Sequence, residues 1–385
     1  MPFAVYLLGL AVFAQGTSEF MLAGLVPGIA QDLNVSIPAA GLLTSAFAVG
    51  MVVGAPLTAA LSLRWSRRST LLAFLIVFLV VHVVGALTTS YEVLLGTRVV
   101  AALANAGFLA VAMATAVAMA PSDAKGRATS VLLGGVTIAC VAGMPGGAAL
   151  GEVWGWRSAF WAVSVALIPA IVAVVVSVPG GGACAPSPLG ELRALRRPRL
   201  LVLLALGALV NGATFCTFTY LAPLLIGTTG LDSAWMPAML ALFGLGSFAG
   251  VTISGRVADV RPVRLLVVGG VLLLGGWVAF AVTTGLAIVL VFVQGTLSFA
   301  VGSTLISQVL YAADGAPTLG GAFATAAFNV GATVGPWLGG VAIGAGLGFR
   351  SPLWVSALLV GAALVTAALA YLVRLGSGGA GVTRS

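Results

Sequence analysis

One acid and one base set in apolar sequence are the residues best suited to chemistry. They are Glu19, within FAQGTSEFMLAGLVPGIA (13–30), and Arg98, within LLGTRVVAALANAGF (94–108). A charge held in hydrocarbon costs at least about 2.5 kcal/mol, so such residues face a cavity or a partner. If the two share a low-dielectric space they shift each other's proton affinity, which is what a proton carrier requires. Two blander roles stand beside this: a buried ion pair that only fixes helix register, or an arginine anchored to backbone carbonyls of the first span. Helical spacing adds neutral groups. Gln15 shares a face with Glu19, Asn105 with Arg98, Asn211 with Phe215 and Phe218, and Gln294 with Ser298 and Gln308. Amides, hydroxyls and rings suit an uncharged ligand, although a lone Asn or Ser more often serves as an interhelical hydrogen bond.

What must position these groups is a membrane-embedded bundle. With 61% hydrophobic and 7% charged residues, the chain cannot coat a water-soluble surface. Apolar stretches of bilayer-spanning length recur near 3–28, 37–62, 70–88, 93–119, 128–150, 158–178, 200–226, 234–255, 264–283, 286–311, 317–343 and 352–373. The expected fold class is therefore an all-α membrane protein of twelve helices. No folded soluble domain fits between the spans, so chemistry belongs inside the bundle. The net charge of +8 does not point to nucleic acid. Arg64, Arg67, Arg68, Lys125, Arg127, Arg193, Arg196, Arg197, Arg199, Arg256, Arg261, Arg264, Arg374 and Arg384 fall on one side of the spans, and only Arg157 and Arg350 on the other. By the positive-inside rule both termini are cytoplasmic. Glu19 and Arg98 then sit at matching depth, roughly 10 Å below the outer surface. Cys140, Cys184 and Cys216 read as small hydrophobes with no metal spacing. His82 stands alone in span 3 and reads as a packing histidine. Asp32 and Asp314 read as solvated loop residues, and Glu92 suits a helix N-terminus.

The chain is written twice. At an offset of 196, Gly16 meets Gly212, Pro27 meets Pro223, Arg98 meets Gln294, Pro121 meets Pro317 and Gly135 meets Gly331. GWRSAFWAV from 155 also meets GFRSPLWVS from 348. The expected organisation is a six-helix bundle over 1–178, a cytoplasmic linker over 179–199, and a second bundle with a short tail over 200–385, a plan in which substrate sites lie between repeats. Opposite Glu19 stands Phe215, and opposite Arg98 stands Gln294. The charges belong to the first half alone, which assigns proton exchange there and ligand contact to the second half. Glycines four apart mark one face of span 2 (Gly50, Gly54), span 5 (Gly143, Gly147, Gly151), span 8 (Gly246, Gly250) and span 11 (Gly331, Gly335, Gly339). They predict close packing of these four helices where the halves meet. Pro145 and Pro336 predict kinks in spans 5 and 11.

On these residues the chain resembles the major facilitator superfamily, in its twelve-span drug:proton antiporter branch. GAPLTAALSLRWSRRSTLL from Gly54 and GRVADVRPVRLL from Gly255 are similar to the family's two loop signatures. RVVAALANAGF resembles the span-4 signature whose arginine is tied to proton coupling, and GVTIACVAGMPGGAALG the span-5 antiporter signature. The resemblance implies gating or structural roles for Arg67, Arg68, Asp259 and Arg264 in the loops, and for Gly143, Pro145, Gly147 and Pro336 in the spans. Leu63 stands where the first loop signature carries its acid, which unsettles symmetric gating. FAQGTSEFMLAGLVPGIAQDL and the run from Gly126 to Val163 resemble actinobacterial chloramphenicol resistance exporters. The implied function is proton-coupled export of chloramphenicol and related amphenicols across the cytoplasmic membrane, with no cofactor, metal or nucleic acid, by a monomer. It is driven by the proton gradient through Glu19 and Arg98, and Gln15, Glu19, Asn105, Asn211, Phe215, Phe218, Gln294 and Ser298 contact the drug. An exporter of sugars, nucleosides or other metabolites, and an uncoupled facilitator or channel, are the alternatives; an enzyme is not expected.

Overall fold

The computed structural model describes residues 3–62, 66–121, 125–178, 198–258, 260–283, 285–313 and 319–379. Leu63, Arg64, Asp259, Asp314, Cys184, Arg384 and the linker arginines 193, 196 and 197 lie outside them. Among the described residues, twelve helical stretches are long and apolar enough to cross a bilayer. Span 1 is α1 (Phe3–Phe20) and α2 (Leu22–Asp32); spans 2, 3 and 4 are α3 (Ile37–Ser62), α4 (Arg67–Leu87) and α5 (Tyr91–Met119). Span 5 is α6 (Lys125–Ile138), a π turn (Ala139–Gly143) and α7 (Met144–Trp154), and span 6 is α8 (Trp156–Ser177). Span 7 is α9 (Pro198–Thr219) and α10 (Leu221–Thr229), so the helix opens inside the stretch expected to be linker. Spans 8 to 12 are α11 (Met236–Val257), α12 (Pro262–Val282), α13 (Ala287–Ala312), α14 (Leu319–Ala342) and α15 (Ser351–Gly379). Val176, Val271 and Leu358 on the outside of the bundle are more than half exposed, as a surface that meets lipid requires. The protein is a multi-pass membrane protein.

Three features depart from an array of plain rods. Span 1 breaks at Met21 and span 7 at Tyr220, each shortly before a proline, Pro27 or Pro223. A proline removes the bond to the carbonyl four residues back and crowds it, which for Pro223 is Thr219, next to the break at Tyr220; for Pro27 it is Ala23, inside α2 and past the break at Met21. Near each break the ladder tightens by one residue: Gly24 N–H donates to the Met21 carbonyl (3.1 Å), and Tyr220 N–H to that of Thr217 (3.2 Å). In span 5 the residues before Pro145 widen into the π turn instead. α14 runs through Pro336 without interruption, contrary to the expected irregularity there; the π turn at Ile343–Leu347 lies beyond the proline and contains Gly346 at φ 82°.

The glycine stripes do not pack where the sequence pattern placed them. They are seams inside each half. A methyl group at Gly50 or Gly54 would strike Val99, Ala102, Leu103 and Ala106 of α5, and one at Gly246 or Gly250 would strike Phe292 and Thr296 of α13. Gly143 and Gly147 face Thr17 and Met21 of span 1; Gly331 and Gly335 face Ala208 and Gly212 of α9. Each stripe thus brings a span of one half against span 1, 4, 7 or 10 of the same half, which lets those backbones touch.

The four stripe-bearing spans do carry the contact between halves, with other faces. α3 packs on α14, and α7 on α11. Ser45 Oγ donates to the Thr333 carbonyl (2.8 Å), Pro38 lies against Gly340, and Gly244 lies on the Cys140 carbonyl. Ser233 Oγ donates to Glu152 at 2.7 Å. Tyr220, fully buried, donates to the Pro336 carbonyl (2.9 Å) with its ring end against Gly41 and Gly340. Among the described residues these contacts run from mid-depth to the end opposite the termini, here the distal end. One hydrophobic core is built from the first six spans; a second joins the last six to Phe20, Ala23, Ala48, Ala139, Cys140, Met144 and Ala148, and a small third gathers Leu200, Val309, Ala312, Ala313 and Ala324.

Candidate functional site

Glu19 lies in the last turn of α1, immediately before the break at Met21. A helix end leaves its final carbonyls without helical donors, and a cation there is favoured by the dipole. Arg98 of α5 fills this role. Its Nη2 donates to the Ser18 carbonyl (2.8 Å) and its Nη1 to Ser18 Oγ (2.8 Å). The guanidinium carbon lies 4.5 Å from the centre of the Phe47 ring and 5.9 Å from that of Phe160, and the side chain is only 1% exposed. The anchoring expected as one alternative is therefore present, while no ion pair joins Arg98 to Glu19. Among the described residues the ion pair is Arg157 with Asp32. Glu19 is half-buried, within reach of the field of Arg98 and beside Cys140.

His82 corrects the sequence reading. It is buried and packed, stacked on Phe78 at 4.2 Å between ring centres, but it does not stand apart from charge. Its Nε2 is 2.6 Å from Ser18 Oγ, the atom that Arg98 holds, and its Nδ1 is 2.8 Å from the Phe78 carbonyl. Sequence spacing had no means of joining spans 1, 3 and 4 in this way. Ser18, Phe47 and His82 are members of the site that it missed.

On the other flank of α1, Phe20 begins a chain of rings that crosses from the first half into the second. Ring centres are separated by 6.3 Å from Phe20 to Phe215, 5.9 Å to Phe218, 5.0 Å to Phe243 and 6.2 Å to Phe299. With Cys140, Met144, Thr214 and Ser247 these rings line a narrow cleft between the halves. Successive rings meet tilted or edge-to-face, the arrangement their quadrupoles favour. Phe215 and Phe218 were expected here; Phe20, Phe243 and Phe299 were not. The repeat held a signal for one of them, since Phe243 is Phe47 displaced by 196.

The remaining expected residues are dispersed. Gln15 is 1% exposed, and neither side-chain amide atom has a hydrogen-bond partner among the described residues. Asn105 Nδ2 is 3.5 Å from the Met51 sulfur, and Asn211 Nδ2 donates to the Phe328 carbonyl at 2.7 Å, an interhelical tie. Gln294 Nε2 donates to the Leu273 carbonyl (3.2 Å), while its Oε1, Ser298 Oγ and Trp277 Nε1 are buried without such a partner. Gln294, Trp277 and Phe218 line a second cleft behind the ring chain. Arg67 and Arg68 are half-buried and Arg264 is exposed at the other end of the bundle, away from this site.

Asp32 is exposed, as expected, but it closes α2 rather than lying in a loop, and it is partnered: it accepts from Trp156 Nε1 (3.1 Å) and pairs with Arg157, whose Nη2 also donates to the Thr88 carbonyl (3.0 Å). The Arg157 guanidinium holds its carboxyl below the usual carboxylate range. The repeat partner, Arg350, donates to the Ala281 carbonyl (3.4 Å). Each arginine thus ties the start of its half's last span to the distal end of that half's third.

Comparison with known proteins places this arrangement. Residues 8–326 match the family model described as Major Facilitator Superfamily. Over 375 residues the chain is 56% identical to the chloramphenicol resistance protein of Streptomyces lividans, covering 95% of this chain and 96% of that one. It is 35% identical over 365 residues to the inner membrane transport protein YdhP of Escherichia coli (strain K12), covering 93% of each. In fold it is similar to the solved structure of a bacterial homolog to the human lysosomal transporter Spinster in an inward-facing, occupied conformation. The TM-score is 0.75 at 17% identity, with 95% of this chain and 96% of that one covered.

Proposed function

The chain belongs to the Major Facilitator Superfamily, and from that premise we propose that it exports chloramphenicol and related amphenicols from the cell in exchange for protons. The observation that carries this reading is Glu19, an acid with no ion-pair partner among the described residues, set beside a ring-lined cleft between the two halves. The relative in Streptomyces lividans is named for chloramphenicol resistance, which supports the choice of substrate. Chloramphenicol is uncharged, with one aromatic ring, hydroxyls and an amide, and the Phe20–Phe215–Phe218 wall offers faces for that ring.

The excess of arginine at the terminal end supports a cytoplasmic location for that end, in a protein of the cytoplasmic membrane. Contacts between halves at the distal end favour entry of drug from the cytoplasmic side. In the proposed cycle, ionised Glu19 accompanies drug capture there. When the halves rock and the cleft opens outward, a proton from outside neutralises Glu19 and the drug leaves. Return of the protonated form releases the proton inside. Drug and proton must prefer opposite states of Glu19 or of the bundle, because a ligand shifts an equilibrium only by its differential affinity. Arg98, fastened to the end of α1, supplies a fixed positive field that keeps the ionised carboxylate affordable in a dry site. Gln15 and, in the second half, Gln294 and Ser298 are the buried polar groups that a drug hydroxyl or amide satisfies. The protein works as a monomer, and its driving force is the proton gradient.

Uptake of labelled chloramphenicol into inverted vesicles tests the reading. Accumulation should follow an imposed inward-acid gradient and collapse when the gradient is dissipated. Accumulation indifferent to the gradient would make the protein an uncoupled facilitator, and accumulation of sugars in preference to the drug would replace the substrate.

A further inference from the structure

The buried histidine has no part in the mechanism so far, yet it meets the atom on which Arg98 depends. We infer that His82 is a positioning residue for the proton step: through Ser18 it holds Arg98 at the end of α1 and off Glu19. The inference rests on the export reading above for its consequence, but its geometry stands apart from any substrate. A carbonyl accepts only, so the 2.8 Å contact with the Phe78 carbonyl fixes the proton of the ring on Nδ1. Nε2 of the neutral ring is then an acceptor, and at 2.6 Å it accepts a hydrogen bond from the Ser18 hydroxyl. With its proton so directed, Ser18 Oγ turns lone pairs toward Arg98 Nη1 at 2.8 Å. The hydrogen bonds run one way, from Arg98 to Ser18 to His82 to Phe78. A doubly protonated ring would instead donate to the oxygen that already receives the guanidinium, setting two cations on one acceptor.

The scaffold around the relay is stiff. Ser18 and His82 are no more than 1% exposed, and the imidazole is stacked on Phe78 and flanked by Phe160 at 5.6 Å between ring centres. The charged groups near it are Arg98 from α5, through Ser18, and Glu19, the residue after Ser18 on α1. α4 packs on α5 and α8, and α8 carries only Arg157, engaged at the distal end with Asp32. If Nε2 is removed, the Ser18 hydroxyl turns to another acceptor and Arg98 loses one of its two anchors. The strongest acceptor left within its field is the Glu19 carboxylate. A guanidinium paired with Glu19 favours the ionised form, so the acid then needs a lower pH to take its proton.

The test reads Glu19 directly. Infrared absorption of the protonated carboxyl, assigned by its loss in Glu19→Gln, is followed against pH in purified protein without drug or gradient. His82→Phe keeps an aromatic ring in the stack and removes the acceptor; it should shift the Glu19 midpoint down by about one pH unit. Ser18→Ala, a milder change in packing, should shift it in the same direction, and the double variant no further than the larger single shift. His82→Gln, whose amide oxygen can take the place of Nε2, should return the midpoint toward wild type. A midpoint unmoved in folded Ser18→Ala and His82→Phe protein, or an upward shift, would overturn the inference. Failure of the export reading would show elsewhere, as vesicle uptake blind to the gradient in the unaltered protein.

Discussion

Arg98 and Gln294 occupy the same place in the two repeats and use it differently. Arg98 crosses to span 1, caps the broken helix end at Ser18 and lies over Phe47. Gln294 reaches the Leu273 carbonyl of α12, its amide flat against Gly276, and leaves Oε1 without a partner. The ring under Arg98 has its counterpart too: Phe243, freed of any cation, joins the aromatic chain. Glu19 becomes Phe215. Duplication has kept the frame, with helix breaks and glycine seams in both halves, while the side chains that frame presents have separated into a charged set and a neutral aromatic set. The lesson is that the backbone places a position in the membrane, and side-chain identity alone decides whether it handles a proton or a ring.

The largest expected effect breaks the charged set. Glu19→Gln keeps the volume and removes the titration; resistance and gradient-driven uptake should fall by about 100-fold or more, with the protein still in the membrane. Survival of resistance would transfer the coupling to another group. Arg98→Ala should follow, with proton-driven exchange reduced about 10-fold or more while equilibrium drug binding changes less, because the guanidinium touches α1 and not the cleft. An unaltered pH dependence would leave Arg98 as an anchor only.

The shared frame predicts equal damage in both halves. Gly50→Val and Gly246→Val occupy matching seams against α5 and α13, so each should cost about 1–3 kcal/mol of stability by overpacking, read as a lower melting temperature in detergent. Unequal losses would show that one seam carries more of the fold. In the neutral set, Phe215→Ala should weaken drug binding by roughly 3–10-fold, the worth of one ring contact, and leave the proton dependence in place. The reverse pattern would undo the division between halves.

The smallest effect lies at the distal end. Asp32 and Arg157 are 44% and 31% exposed, so Asp32→Asn should cost no more than about 1 kcal/mol. The carboxyl is held below its ordinary value of 3.8, so its contribution is fully present above that pH and is lost as the pH falls through the lowered value. The difference in melting temperature between Asp32→Asn and wild type should therefore persist at neutral pH and close below about pH 3.8.

Much of this frame was legible in the residues. Spans follow from hydropathy because a continuous apolar stretch of about 20 residues crosses a bilayer as a helix whose backbone is satisfied internally. The repeat follows from matched Gly, Pro and Arg residues, and Glu19 and Arg98 stand out because charges in spans are costly. What spacing did not carry was azimuth. A stripe of glycines names a face of one helix without naming its neighbour, so the seams were assigned to the meeting of the halves when they close each half upon itself. His82 and Ser18 were hidden for the same reason: a contact across 64 residues of sequence depends on how spans 1, 3 and 4 turn toward one another. Asp32 seemed a loop acid because its partners, Trp156 and Arg157, come from span 6. The break at Tyr220 has a sequence signal in Pro223, whose missing N–H frees the Thr219 carbonyl; the break at Met21 has none, since Pro27 acts on Ala23 inside α2.

The central claim is that Glu19 surrenders its proton when drug enters a cleft built mostly by the other half. Proton release on adding chloramphenicol to purified, weakly buffered protein measures it directly. Wild type should release on the order of one proton per drug bound near neutral pH. Phe215→Ala should do the same once enough drug is added, and Glu19→Gln should bind drug without release. Release undiminished in Glu19→Gln would contradict the account.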